Sequence, residues 1–228
     1  MKITWLGHNC WSIEAGGAKL VLDPYLDEQP TAACKAADVE ADFVLVSHGH
    51  FDHILDAAPI ARRTGATLVT NFEIGNWFMA QGFEQAKVEQ GGPGGSIELP
   101  FGRVTFTPAV HSSGLPDGSY GGVACGFVVS AEGKNVYFAC DTALFGDMQR
   151  IGAVGLDLAV LPIGDRFTMG VCDSLEAVKL LAPRRAAPCH YNTWPPIVQD
   201  AAGWAEHVRQ HTSAEPLTLA VGETIVLD

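Results

Sequence analysis

The chain has 228 residues, 47% of them hydrophobic and 18% charged, which is ample material for a sizeable core and excludes a disordered polymer. Its net charge of −12, from 14 basic against 26 acidic side chains, argues against a nucleic-acid partner, because affinity for phosphates rests on basic groups; a bound metal pair would add positive charge that this count omits. No apolar run approaches the ~18 residues of a membrane span, and no leader-type apolar core opens the chain. The expectation is a cytoplasmic protein of one domain, residues 1–228, with no membrane partner.

In chain order, Met1–His8 runs straight into strand-like sequence. Short apolar runs bounded by Gly, Pro, Asp and Asn predict strands over 18–22, 42–46, 67–70, 103–107, 123–129, 135–139, 157–161 and 217–220. Helical patterns intervene at about 54–64, 74–81, 174–182 and 197–210. Gly91-Gly92-Pro93-Gly94-Gly95 lies between strand signals and reads as a hairpin loop, not a domain boundary or a phosphate cradle. Strands and helices without regular alternation suggest sheets covered by helices. The six cysteines contain no C-x-x-C pair, so they read as reduced, mostly buried thiols.

Four apolar runs end at metal-capable side chains. Residues 42–46 stop at Ser47-His48, 104–107 just before His111, 136–140 at Asp141, and 186–189 at His190. Strand ends are where rigid scaffolds gather function. The first of them carries His48-Gly49-His50-Phe51-Asp52-His53, three imidazoles and a carboxylate within six residues. Imidazole and carboxylate suit Zn²⁺ and its neighbours. One loop cannot easily wrap four groups around a single ion, but it can offer two groups to each of two ions, with His111, Asp141 and His190 supplying the rest.

The order His48-x-His50-x-Asp52-His53, His111, Asp141, His190 resembles the signature of the metallo-β-lactamase superfamily. The stretches Trp5–Trp11, Pro162–Gly170 and His190–Pro196 are similar to its bacterial metal-dependent hydrolases, a group related to ascorbate-6-phosphate lactonase and N-acylphosphatidylethanolamine phospholipase D. The resemblance covers essentially the whole chain. It implies an α/β, four-layer αββα sandwich and two divalent ions, zinc with manganese as the alternative. His48, His50 and His111 would hold the first ion, Asp52, His53 and His190 the second, and Asp141 would bridge them. His at position 50, where the diiron oxidoreductase branch has Glu, and Asp at position 141, where class B1 β-lactamases have Cys, set the chain apart from both.

The resemblance also implies that His8 faces the site and contacts substrate or leaving group, the rival role being a turn histidine. Asp23 either orients a ligand imidazole or simply forms an Asp-Pro turn. Arg166, Phe167, Thr168 and Met169 are candidates to wall the pocket, and Tyr191 and Asn192 to present polar groups to a polarised oxygen. Asp173 with Glu176 reads as a capping box on a helix from Ser174. His207 and His211, four apart but lacking a zincin glutamate, read as a solvated helix face. The implied reaction is hydrolysis by a metal-bridging hydroxide, with Asp52 catalytic as well as ligating, on a small-molecule lactone, ester or phosphoester. A nucleic-acid phosphodiesterase and a non-catalytic metal sensor are the alternatives, and homo-oligomerisation is left open.

Overall fold

The computed structural model describes residues 1–228. Its first half runs β1 (Lys2–Gly7), β2 (Cys10–Ala15), β3 (Ala18–Leu22), β4 (Phe43–Val46), α1 (Phe51–Ile54), α2 (Ala57–Thr64), β5 (Thr67–Asn71), α3 (Phe72–Ala80) and β6 (Val88–Gly91). The second half runs β7 (Ser96–Leu99), β8 (Gly102–Pro108), β9 (Cys125–Ala131), β10 (Lys134–Phe138), α4 (Met148–Gly152), β11 (Leu158–Pro162), α5 (Val171–Leu181), β12 (Arg185–Cys189), α6 (Ala201–His211), β13 (Glu215–Pro216) and β14 (Thr224–Val226). No helix is long and apolar enough to cross a membrane.

The strands form two seven-stranded sheets, ordered β14-β1-β2-β3-β4-β5-β6 and β13-β12-β11-β10-β9-β8-β7. Period-two alternation assigns the faces. Leu20, Leu22, Phe43 and Leu45 turn inward to a 44-residue core shared with Val104, Phe106, Phe127 and Val129 of the second sheet. Their neighbours Val21, Val44 and Val46 turn outward into a 20-residue cluster with Ile60 of α2 and Phe78 of α3. On the far side of the second sheet, Val178 of α5 and Trp204 of α6 pack against it, and Trp204 Nε1 donates to the buried Ser174 Oγ at 3.1 Å. Helix, sheet, sheet, helix is the layering the sequence led us to expect.

Several expected boundaries move for identifiable reasons. The glycine-rich segment after Gly91 is not a hairpin. β6 pairs in parallel with β5 in the first sheet and β7 antiparallel with β8 in the second, so the segment carries the chain from one sheet to the other. Two backbone bonds to Phe106 fasten it, Gly94 N to Phe106 O and Phe106 N to Gly95 O, both 2.9 Å. Gly91 lies so close to the Phe106 ring that any side chain there would collide with it. The helix expected over 54–64 breaks at Asp56, whose Oδ2 accepts the amides of Leu26 (2.6 Å) and Asp27 (3.1 Å), and Pro59 lacks the amide that would continue the ladder backwards. The expected capping box fails because α5 starts at Val171 with Gly170 as its cap, so Asp173 lies inside the first turn and Glu176 pairs with Lys179 at 2.7 Å. α6 begins only at Ala201, where Asp200 Oδ1 accepts Gly203 N at 3.0 Å. The strand expected over 217–220 does not form: the short β13 lies just before it at Glu215–Pro216, and pairing with β12 ends where Leu217 N donates to Ala186 O.

Candidate metal centre

The strand ends meet at one rim of the two sheets. β4 delivers Ser47 and His48, His50 caps α1, and Asp52 and His53 fall in that helix's single turn. His111 follows β8, Asp141 follows β10, and His190 follows β12 directly. His8, Asp23, Cys140 and His190 adopt left-handed backbone with φ of 52°, 44°, 54° and 53°. Such conformations are costly for residues with a side chain and concentrate at functional sites.

The seven expected ligands come together as two groups with Asp141 between them. His48 Nε2 lies 3.0 Å from His50 Nδ1, which lies 3.3 Å from His111 Nε2. Tetrahedral zinc with Zn–N of about 2.0–2.1 Å requires donor–donor separations of roughly 3.3–3.4 Å, so this spacing fits a common ion. The second group gathers Asp52, His53 and His190, with Asp52 Oδ2 at 3.6 Å from both His53 Nε2 and His190 Nε2. Asp141 reaches both groups: Oδ2 lies 3.5 Å from His111 Nε2 and 3.2 Å from His190 Nε2, and Oδ1 lies 3.4 Å from His53 Nε2. His53 Nε2, His190 Nε2 and Asp141 Oδ1 are buried without a hydrogen-bond partner. Orphaned atoms of that kind are costly unless something satisfies them, and N and O donors aimed at one point suit a divalent cation.

Residues behind the ligands fix their orientation. Asp23 is fully buried; its Oδ2 accepts Asn9 Nδ2 (2.8 Å), Ser47 Oγ (2.6 Å) and His53 Nδ1 (2.8 Å), and its Oδ1 accepts Ser47 N (2.8 Å). His53 therefore carries its proton on Nδ1 and presents Nε2 to the centre. Ser47 spends its hydroxyl proton on Asp23, so the 3.0 Å contact with His48 Nδ1 has the imidazole as donor and leaves His48 Nε2 free. Asp23 thus governs two ligands at once, in the role that partners of metal-bound histidines usually fill.

His8 lies among the expected ligands, in one cluster with Asp52, His53 and His190 whose donor atoms are within 4.8 Å of one another. It is buried beneath the ligands and does not reach the cavity surface. Thr193 Oγ1 donates to its Nδ1 at 2.8 Å, and its Nε2–H donates to Asp52 Oδ2 at 3.0 Å, so it holds a ligand in place. Tyr191 and Asn192 also point away: Tyr191 stacks on Trp5 at 5.5 Å, and Asn192 Oδ1 accepts Gln199 N. Met169 is buried in the core and Thr168 turns back on the Met169 carbonyl, whereas Arg166 and Phe167 do line the cavity. His207 and His211 are exposed on α6, as expected.

Burial and charge set the protonation pattern. Burial opposes ionisation of Asp52, but His53, His190 and His8 hold its carboxyl well below the usual range. Asp141 is likewise held low by His190 and His53 against its burial. Burial disfavours the cationic form of His190, yet Asp141 and Asp52 push it up to about 9, and Asp141, Asp52 and Asp23 raise His53 in the same way. Burial brings His8 down to about 3 and depresses His48, His50 and His111. The centre thus pairs anionic carboxylates with imidazoles that take up positive charge, the charge a metal ion would bring.

Above it lies a cavity of about 670 Å³, lined by five of the expected ligands (His50, Asp52, His111, Asp141, His190) and walled by Phe51, Phe167, Trp194 and Pro196, with Ser112 and Arg166 among its polar residues. That is small-molecule size. No separate role was legible in the sequence for Ser47, Ser112, Thr193 or the walls Phe51, Trp194 and Pro196, although Phe51, Thr193, Trp194 and Pro196 all lie inside stretches that carry the resemblance.

The family model described as a beta-lactamase superfamily domain matches residues 18–191. A UPF0173 metal-dependent hydrolase of Pelotomaculum thermopropionicum is 46% identical over 100% of both chains, and one of Thermus thermophilus is 42% identical over 100% of both. Igni18, a metallo hydrolase from Ignicoccus hospitalis, superposes with a TM-score of 0.90 at 34% identity over 100% of this chain and 98% of its own. The chain belongs to the beta-lactamase superfamily, within its group of metal-dependent hydrolases.

Proposed function

We propose that the protein is a dinuclear, zinc-type hydrolase of small-molecule lactones, esters or phosphoesters. His48, His50 and His111 hold one ion, Asp52, His53 and His190 the other, and Asp141 spans the two. The observation that carries this reading is the convergence of seven N and O donors from four strand ends on two adjacent points, three of their atoms buried and unpartnered. His-rich ligation favours zinc over manganese. Divalent ions held there supply Lewis acidity, lowering the pKa of water from about 15.7 toward 7 and polarising the oxygen of the electrophile.

The chain's own residues complete the site. A carboxylate as acidic as Asp52 orients the attacking water by accepting its hydrogen bond and does not retain the proton. His8, locked by Thr193, keeps Asp52 in place. The apolar walls exclude bulk water from the reacting groups. A cavity of this size in a chain of charge −12 disfavours a nucleic-acid substrate. The six cysteines are all unpaired, which suits the reducing cytoplasm. Because the C-terminal β14 completes the sheet begun by β1, we read the whole chain as one domain.

The test is a panel of lactones, thioesters, aryl esters and aryl phosphodiesters assayed on zinc- and manganese-reconstituted protein, with the chelated protein as control. Metal-restored turnover of a small substrate supports the reading. Full metal loading with no turnover anywhere in the panel would favour a sensor.

A further inference from the structure

The cavity wall carries one Lys or Arg side chain, Arg166, on the loop between β11 and α5. Of the eight arginines, five form ion pairs with carboxylates and Arg62 donates to the Gln81 carbonyl. Arg150 and Arg166 do neither, although acidic groups outnumber basic ones by 26 to 14, and of these two it is Arg166 that lines the cavity. The Arg166 guanidinium lies over the Phe167 ring, 5.8 Å from its centroid. Five planar donors left unpaired at the mouth of a small cavity suit bidentate capture of a carboxylate or phosphate.

The apolar lining beside it is also unspent. Phe51 is 50% exposed and Phe167 54% exposed, both on the cavity. Phe51 is braced by Trp194 at 6.0 Å and Tyr25 at 5.8 Å, and Tyr25 in turn meets Trp194 at 6.0 Å, so this wall is a fixed aromatic corner. Such exposed area contributes to affinity only when an apolar ligand covers it.

We infer that the substrate is a small molecule with an apolar, preferably aromatic body that carries an anionic group remote from the bond being hydrolysed, and that Arg166 holds this group. The inference rests on the hydrolase reading, since the reacting end is taken to be the one at the ligands. Arg166 is a specificity residue: it binds a part of the substrate that does not react, and the energy of that contact helps to orient the part that does.

The test compares zinc-reconstituted wild type, R166Q and R166K by calorimetric titration at fixed low salt. The probes are terephthalate, 4-carboxyphenylacetate and 4-(2-carboxyethyl)benzoate, each against the monomethyl ester that keeps the benzoate and masks the other carboxylate. Wild type should bind at least one dianion about tenfold more tightly than its monoester, R166Q should erase that preference, and R166K should keep part of it. Absence of a dianion preference in wild type, or an unchanged preference in R166Q, overturns the inference. Zinc content measured on the same samples reports separately on the function: a protein that retains no zinc defeats the hydrolase reading, whereas the Arg166 effect is a difference between two ligands on one protein.

Discussion

The two halves of the centre are built differently. His53, His190 and Asp52 are buried, with exposures of 0%, 1% and 8%, and rest on buried partners: Asp23 behind His53, and His8 with Thr193 behind Asp52. In the other half only His48 is buried, while His50 and His111 are partly open to the cavity. The outward nitrogen of His50 has just the exposed Ser112 hydroxyl at 3.3 Å. A ligand cage fixed by hydrogen bonds loses little freedom when an ion arrives; one made of partly exposed rings loses more. On the two-ion reading proposed above, the comparison predicts unequal sites: an anchored one in the buried half, and one in the open half from which an ion exchanges more readily.

The most severe way to break this scheme is to remove the group both halves share. Asp141→Asn keeps the size but removes a charge and an anionic donor, and kcat should fall on the order of 10²-fold or more, because small misplacements of reacting groups cost that much. Turnover near wild type with both ions retained would refute the bridging role. Asp23→Asn strikes the buried half directly through His53, and reaches the open half only through Ser47 behind His48. It sets an amide where three donors now converge, so affinity for the tighter zinc should drop by about 10–100-fold, read by competition with a chromogenic chelator. An unchanged tight site would show that His53 needs no such partner. Ser112→Ala sharpens the comparison from the other side: it should weaken only the looser zinc, by a few-fold at most for a single exposed contact.

Proton uptake distinguishes the states as well. His190 has a folded pKa of about 9 against an ordinary 6.5, so its contribution to metal-free stability is full below about 6.5 and is lost as pH rises through 9. Zinc competes with the same protons, so its affinity climbs over that window. Melting of the metal-free protein should therefore fall from pH 6.5 to 9 while the zinc form loses much less. Parallel profiles would mean that the imidazole does not bind the proton its carboxylate neighbours favour.

The legible parts of this protein are those whose partners lie close in sequence. Continuous apolar runs such as Phe43–Val46 announce a strand with two covered faces, and His48–His53 announces ligands because the donors are packed into one loop. Convergence of His111, Asp141 and His190 was also readable, since each follows an apolar run. What stayed hidden depends on distant pairing. The donors on Asp23 come from 14, 24 and 30 residues away, and Thr193 fixes His8 across 185. No local pattern separates a turn aspartate from such a hub. The glycine-rich segment after Gly91 misled for the same reason: strand partners, not loop composition, decide whether a turn closes a hairpin or crosses between sheets.

The most direct test of two unequal metal sites is graded chelation of zinc-reconstituted protein, with elemental analysis at each step. The account predicts two zinc ions per chain at the outset and a plateau at one, with Asp23→Asn lowering the chelator concentration at which that last ion leaves. A protein that holds no zinc after reconstitution, or one that releases both ions together whether or not Asp23 is intact, would contradict it.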